Sequence, residues 1–296
     1  IIIIIIMKII TSVVNTDFIK IQYFSLKKFF KNDFEYIVFN DTKNFPEYTN
    51  YFDTSMKNKV ENLCNELNIK CINFHNDFHI NIDSGSFRHA SVLNFMLKYQ
   101  LDNPDDYLYI DNDIFLIDYF DISLFYNYNT AIVLQQRNVD YDYIKILNYI
   151  WPGLCFFSKN IQHTNLLNWN LANGADTGGM MMKWLIVNNN LTNNFPLTDT
   201  IRYQKNIDNL HTDNIFFIKH LRSTTWNLTE LPYNLLNNTN FVKFLVNDNR
   251  NKDNKFFSEL YLNVFFHLRE GSGYANKDIN KNNNICNSLN EIFNYY

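Results

Sequence analysis

The stretch Tyr107-Leu108-Tyr109-Ile110-Asp111-Asn112-Asp113-Ile114-Phe115 decides how this chain is read. An apolar run of aromatic and branched residues ends abruptly in two carboxylates that flank a single residue. The run is too short for a helix and predicts a buried parallel strand. Carboxylates at the carboxyl end of such a strand are costly to bury unless something positive meets them. Strand alternation would point Asp111 and Asp113 to one side, with Asn112 opposite. Hard oxygen ligands of this kind suit Mg²⁺ or Mn²⁺, which keep open positions for the oxygens of a diphosphate. The plainer alternative is a turn after a strand, in a chain full of Asp and Asn. The strand context favours the cation, because ligands of open α/β sheets gather at the carboxyl ends of strands.

The segments ahead of this stretch set its frame. Residues 8–14 predict a first strand. Residues 18–30 have helical periodicity, with Lys27, Lys28 and Lys31 near the end where they complement the helix dipole. A strand over 35–39, a helix over 56–68 and a strand over 70–74 follow. Ser84 or Ser86 then caps a helix that runs to about Gln100. Asp102-Asn103-Pro104-Asp105-Asp106 breaks the chain before the central strand. This order implies right-handed crossovers and an α/β fold: a doubly wound, mainly parallel central sheet with helices on both faces. No Gly-rich loop follows the first strand, which argues against a dinucleotide fold or a P-loop ATPase.

Beyond Asp121 the pattern is irregular. It predicts a strand over 130–134, a helix over 141–149, and a turn at Trp151-Pro152-Gly153 entering another strand. A short helix over 164–170 comes next. The loop Gly174-Ala175-Asp176-Thr177-Gly178-Gly179 then precedes a helix over 180–187. Residues 7–276 read as one domain with a smaller irregular region after residue 121, and 277–296 as an Asn-rich tail. The six Ile residues ahead of Met7 read as an extension that is not native.

Composition narrows the function. The chain has 296 residues, 46% of them hydrophobic, and a formal net charge of −4. That describes a globular protein and gives no basic run to bind nucleic acid. No stretch is long and apolar enough for a membrane span, and no signal peptide is evident. Cys64, Cys71, Cys155 and Cys286 lack metal-ligand spacing and read as free thiols, so a reducing, cytoplasmic setting is expected.

Taken in order, the chain resembles a GT-A type glycosyltransferase, the nucleotide-sugar-dependent class that carries an Asp-x-Asp motif. The likeness rests on the first strand, the helix start at Ser86-Phe87-Arg88-His89-Ala90, the Tyr107 to Asp113 stretch, and Phe265-Phe266-His267-Leu268-Arg269-Glu270-Gly271-Ser272-Gly273. It implies a GT-A-like fold with a nucleotide-binding half over 7–121 and an acceptor-side half over 122–276. It implies Mn²⁺ or Mg²⁺ held by Asp113 and His267, with Asp111 meeting the metal, the ribose or a bound water. Thr11, Val13 and Asn15 would lie near base and ribose, and Arg88 near the diphosphate or base. Arg269, Gly271 and Ser272 would approach phosphate. The expected partners are a UDP- or GDP-sugar donor and a glycan or other hydroxyl acceptor.

Asp176 in the Gly-rich loop is the catalytic candidate. It would be a general base in an inverting transfer, or a holder of donor hydroxyls in a retaining one. A helix-capping Asp is the alternative. Trp151 is either a stacking wall for a sugar or a buried aromatic, and Asp213 is a third acid, ranked below Asp176. Two rival functions stay open. One is a haloacid-dehalogenase-like phosphatase with Asp111 as nucleophile, although Phe115 stands where that motif has Thr or Val. The other is an inactive transferase fold that only binds.

Overall fold

The computed structural model describes residues 6–43, 55–141, 144–172, 174–189, 214–271 and 279–296. The amino-terminal half alternates as the sequence predicts: β1 (Met7–Val13), α1 (Ile19–Phe29), β2 (Phe34–Asn40), α2 (Met56–Glu66), β3 (Lys70–Asn73), α3 (Gly85–Asp102) and β4 (Tyr107–Ile110). Ser84, not Ser86, caps α3, its hydroxyl accepting from the Phe87 amide at 3.4 Å. Then come β5 (Ile114–Leu116), β6 (Thr130–Tyr141), β7 (Ile144–Phe157), α4 (Met182–Asn189), β8 (Ile215–Phe217) and β9 (His220–Leu221). The chain closes with α5 (Tyr233–Leu236), α6 (Thr239–Val246), β10 (Glu259–Tyr261), β11 (Phe265–His267) and α7 (Ile279–Phe293).

The main sheet has the order β3-β2-β1-β4-β7-β6-β8. Its β3-β2-β1-β4 part is parallel throughout. β7 then runs antiparallel to both β4 and β6, and β8 runs parallel to β6. The sheet is therefore mixed, with β7 running against the other six strands. Alternation along the strands divides its apolar side chains between two cores. Ile9, Val38, Leu108 and Phe156 face α1, α2 and α7, whereas Ile10, Ile37, Tyr109 and Phe157 face α3 and α4. Each such large side chain removed from water contributes about 2 kcal/mol. Helices thus cover both faces. The crossovers through α1 and α2 step one way along the sheet and the one through α3 steps back, so the order switches between β1 and β4. Such a switch leaves a crevice at the carboxyl ends of the strands.

Two expectations are corrected. Residues 141–149 were expected to form a helix, but from Ile144 onward they belong to β7, paired along most of its length with β6. A short apolar window does not separate helix from strand, and here long-range pairing decides. Trp151-Pro152-Gly153 is likewise inside β7 rather than a turn entering it. Ile132 pairs with Cys155 but Val133 pairs with Trp151, so residues 152–154 bulge from the ladder against β6. A bulge is where a strand tolerates a proline, which has no N–H to give. Beyond these, the described part of the Asn-rich carboxyl-terminal stretch is helical. It forms α7, which buries Leu289 and Phe293 against the core.

A second, antiparallel sheet, β5-β11-β10-β9, is built from both halves of the chain. β5 follows the Asp-x-Asp turn directly and pairs with β11, placing Ile114 opposite His267. Among the described residues no helix is long and apolar enough to cross a membrane. The four cysteines are free thiols.

Candidate functional site

Asp111, Asn112 and Asp113 form a turn between β4 and β5, so strand alternation does not govern where the two acids point. The turn is held from below. Gln22, fully buried on α1, donates to the carbonyls of Asp111 and Ile114, both at 2.7 Å, and accepts from the Tyr36 hydroxyl at 2.6 Å. From the side, the Asp111 amide donates to the Gly153 carbonyl in the β7 bulge at 2.8 Å.

Asp113 turns toward β11. Its Oδ1 lies 3.4 Å from His267 Nε2, and its Oδ2 accepts from the Gly271 amide at 2.9 Å. The chain can return this closely because Arg269 and Glu270 both take left-handed backbone angles, with φ of 22° and 58°. Gly271 thus approaches the Asp113 carboxylate. Asp111 instead faces the first turn of α3, its Oδ1 3.9 Å from His89 Nε2. Burial raises the Asp111 pKa; His89 opposes the rise and the neighbouring Asp113 charge adds to it.

His267 is pinned at both ring nitrogens. Nδ1 lies 2.9 Å from Glu259 Oε2, opposite Nε2 on Asp113. Burial alone would lower the imidazole's pKa, but the Asp113 and Glu259 carboxylates outweigh it and lift it to about 10. Glu259 is buried too, which would raise its pKa, yet the His267 hydrogen bond and charge bring it down to about 2. Trp151 flanks this group, stacked on Tyr261 with centroids 5.1 Å apart and planes 11° from parallel, and 5.2 Å from the His267 ring.

Asp111, Trp151, Glu259 and His267 line a cleft of about 370 Å³ whose walls also carry Ser86, His89, Arg137, Asp176, Arg222 and Arg269, and Asp113 is buried beside His267. Asp176 lies on the α3 side. It accepts from the Thr177 amide at 2.8 Å and sits 3.7 Å from the Arg137 guanidinium. Thr177 in turn donates to the Ser86 carbonyl at 3.0 Å and ties this loop to the start of α3. Burial would raise the Asp176 pKa, but the hydrogen bonds and the Arg137 charge hold it below the usual carboxylate range. Arg269 donates to the Ser223 hydroxyl at 2.6 Å and lies over the Phe257 ring. A larger cavity of about 590 Å³ lies between α6 and α7; its Asp248 and Arg250 are paired with each other, and Arg250 also donates to the Arg269 carbonyl at 2.7 Å.

The fold therefore gathers Asp111, Asp176, His267 and Arg269 around one cleft, with Asp113 buried against His267 and Gly271 packed on Asp113. It does not bring Thr11, Val13, Asn15 or Arg88 to that surface. Thr11 and Val13 are buried within β1, facing the α1 side, and the Asn15 side chain accepts from the Asp17 amide. Arg88 is buried and reaches toward the Asp83 carbonyl, while its neighbour His89 lines the cleft. Gly178 has φ of 88° and packs on the Ile150 carbonyl, where a Cβ would come within 2.2 Å; it serves the loop's close contact with β7. Ser272, Gly273, Asn173 and Asp213 lie outside the described residues. Glu259 and Gln22 were not singled out from the sequence. The only signal for Glu259 was an acid beside the apolar pair Leu260-Tyr261.

As a cation site the cluster offers two carboxylates and an imidazole whose other nitrogen is already committed to a carboxylate. That donor set fits a divalent ion. Among the described residues, however, no group of three or more His, Cys, Asp or Glu side chains is placed to hold a metal. The Asp113–His267 pair is the nucleus of any such site. No family model matches this chain, and no curated protein matches its sequence.

Proposed function

We propose that this chain is a GT-A-like glycosyltransferase that moves a sugar from a nucleotide-diphosphate donor to an acceptor hydroxyl with the help of Mn²⁺ or Mg²⁺. One observation carries the reading. His267, more than 150 residues after the Asp-x-Asp turn, lines a cleft at the carboxyl ends of parallel strands and lies 3.4 Å from the buried Asp113. Nothing in the packing of an ordinary turn requires a buried imidazole and carboxylate to be matched in that way.

In this reading Asp113 and His267 hold the cation, with Asp111 beside them for the metal, its water or the donor ribose. A bound divalent ion offsets the charge that builds on the departing diphosphate. Arg269, set over Phe257 at the cleft wall, faces the same phosphates, as guanidinium geometry suits. Trp151 offers a flat apolar surface for a sugar ring. Asp176 is held ionised with a lowered pKa, which makes it a weak proton acceptor. It is better fitted to bind sugar hydroxyls or to stabilise positive charge on the sugar than to abstract a proton.

The test is release of sugar or nucleotide from UDP- and GDP-sugars with and without Mn²⁺. Asp113→Ala should lower the cation-dependent rate by at least about a hundredfold while circular dichroism stays native. A variant with the full rate would overturn the assignment. Release of phosphate from a simple phosphomonoester, with no nucleotide-sugar turnover, would favour phosphatase chemistry instead.

A further inference from the structure

Glu259 does more than partner His267. Its Oε2 accepts from His267 Nδ1 at 2.9 Å and from the Tyr261 hydroxyl at 2.6 Å, and its Oε1 accepts from the Ser223 amide at 3.1 Å. The Ser223 hydroxyl, in turn, accepts from Arg269 at 2.6 Å. An ionised carboxylate only accepts, so Nδ1 must carry a hydrogen, and the ring is fixed with Nε2 turned toward Asp113. The ring is also confined by Trp151, and Tyr261 is itself held between Trp151 and His220 in an aromatic stack. One buried acid thus joins an imidazole at the floor of the cleft to a guanidinium on its wall.

We infer that Glu259 is the positioning residue of this centre: it holds His267 with Nε2 presented beside Asp113 for a divalent cation and, through Ser223, holds Arg269 for the diphosphate. The inference rests on the proposed cation-dependent reading and adds to it that cation and nucleoside diphosphate bind cooperatively. Both ligands depend on the same preorganised network, so each should favour the other by an equal factor. A glutamine does not replace Glu259. Three donors converge on its two oxygens, and an amide would set its own N–H₂ against one of them.

Binding tests this without turnover. Mn²⁺ affinity is measured by electron paramagnetic resonance and by quenching of tryptophan fluorescence, for which Trp151 lies close to His267. UDP and GDP affinities are measured with and without Mn²⁺. Glu259→Gln should weaken Mn²⁺ binding roughly 10- to 100-fold, as loss of an outer carboxylate on a ligating His does, and should abolish the mutual enhancement. Ser223→Ala keeps the backbone N–H that Glu259 needs. It should leave Mn²⁺ affinity within about twofold and weaken nucleotide binding about fivefold.

Far-UV circular dichroism checks the fold of each variant. If Glu259→Gln fails to fold, Ser223→Ala still decides: unchanged nucleotide binding overturns the inference. A wild-type protein that binds Mn²⁺, with a folded Glu259→Gln that binds it equally, overturns the inference alone. A wild-type protein that binds no Mn²⁺ overturns it together with the proposed function.

Discussion

At Gly271 the geometry leaves no room for a side chain. A Cβ there would stand 2.8 Å from the Asp113 Cβ, 3.1 Å from Leu268 and 3.2 Å from Asp113 Oδ2. The contact cannot relax cheaply, because both carboxylate oxygens of Asp113 are engaged, one by the Gly271 amide and one by His267. Gly271→Ala should therefore displace Asp113 and lower cation-dependent nucleotide-sugar turnover by at least about tenfold, since small misplacements of binding groups cost that much or more. The melting temperature should fall only a few degrees. An unchanged rate would detach Asp113 from the chemistry. Asp111 and Asp113 were legible in the sequence because acids after a buried strand are expensive without a purpose. His267 was legible because it ends an apolar run and precedes an Arg and a small-residue loop. Glu259 was not. A lone acid reads the same whether solvated or buried, and its donors come from Ser223, Tyr261 and His267, which only the fold assembles.

Among the elements, α1 matters most to the site, through a residue that looks unremarkable in sequence. Gln22 follows Ile21 and precedes Tyr23, yet it is fully buried and serves two carbonyls of the Asp-x-Asp turn and the Tyr36 hydroxyl. Gln22→Leu keeps the volume and strands all three partners, so stability should drop by about 2–4 kcal/mol, read as a lower urea midpoint at unchanged slope. Mn²⁺ binding should weaken as well, because the turn loses its support. A variant as stable as wild type would mean that the turn is held by the β7 bulge alone. That bulge marks the limit of element-level reading. The apolar run before Asp111 has no helical rival at its length, so β4 was plain. Residues 141–149 fit either pattern, and only the register with β6 selects a strand. Pro152 and Gly153 read as a turn entering a strand, whereas they mark the irregularity within β7 that aims the Gly153 carbonyl at Asp111.

For the molecule as a whole, pH is one lever on stability. His79 is buried, its Nε2 on the Ser91 hydroxyl, with Asp41, Lys43 and Arg88 around it. Burial lowers its pKa to about 4; Lys43 and Arg88 push the same way and Asp41 opposes them. The unfolded chain takes up this proton near pH 6.5, the folded one only near 4. The contribution is thus full above about 6.5 and is lost as pH falls toward 4, reaching about 3 kcal/mol at most. Between pH 7 and 4.5, urea unfolding of wild type should lose more stability than that of His79→Gln; equal losses would clear His79 of the effect. The other whole-molecule property is how the halves are joined. The sequence suggests a first half ending near residue 121 because its alternation is regular up to there, but alternation shows neighbours along the chain and is silent on partners beyond it. In the fold, β4 completes its pairing on β7 and β5 on β11, both from beyond residue 121. A fragment of residues 7–121 would leave one full edge of β4 and all of β5 unpaired, and would expose Leu108 and Phe115, which the intact chain buries completely. Expressed alone, it should show weak circular dichroism, no cooperative melting and a tendency to aggregate. Addition of residues 122–296 as a second polypeptide should restore a cooperative transition if the shared sheets are what hold the halves together. A fragment that melts cooperatively by itself would show that the first four strands are self-sufficient, and that the cleft forms by docking two finished halves.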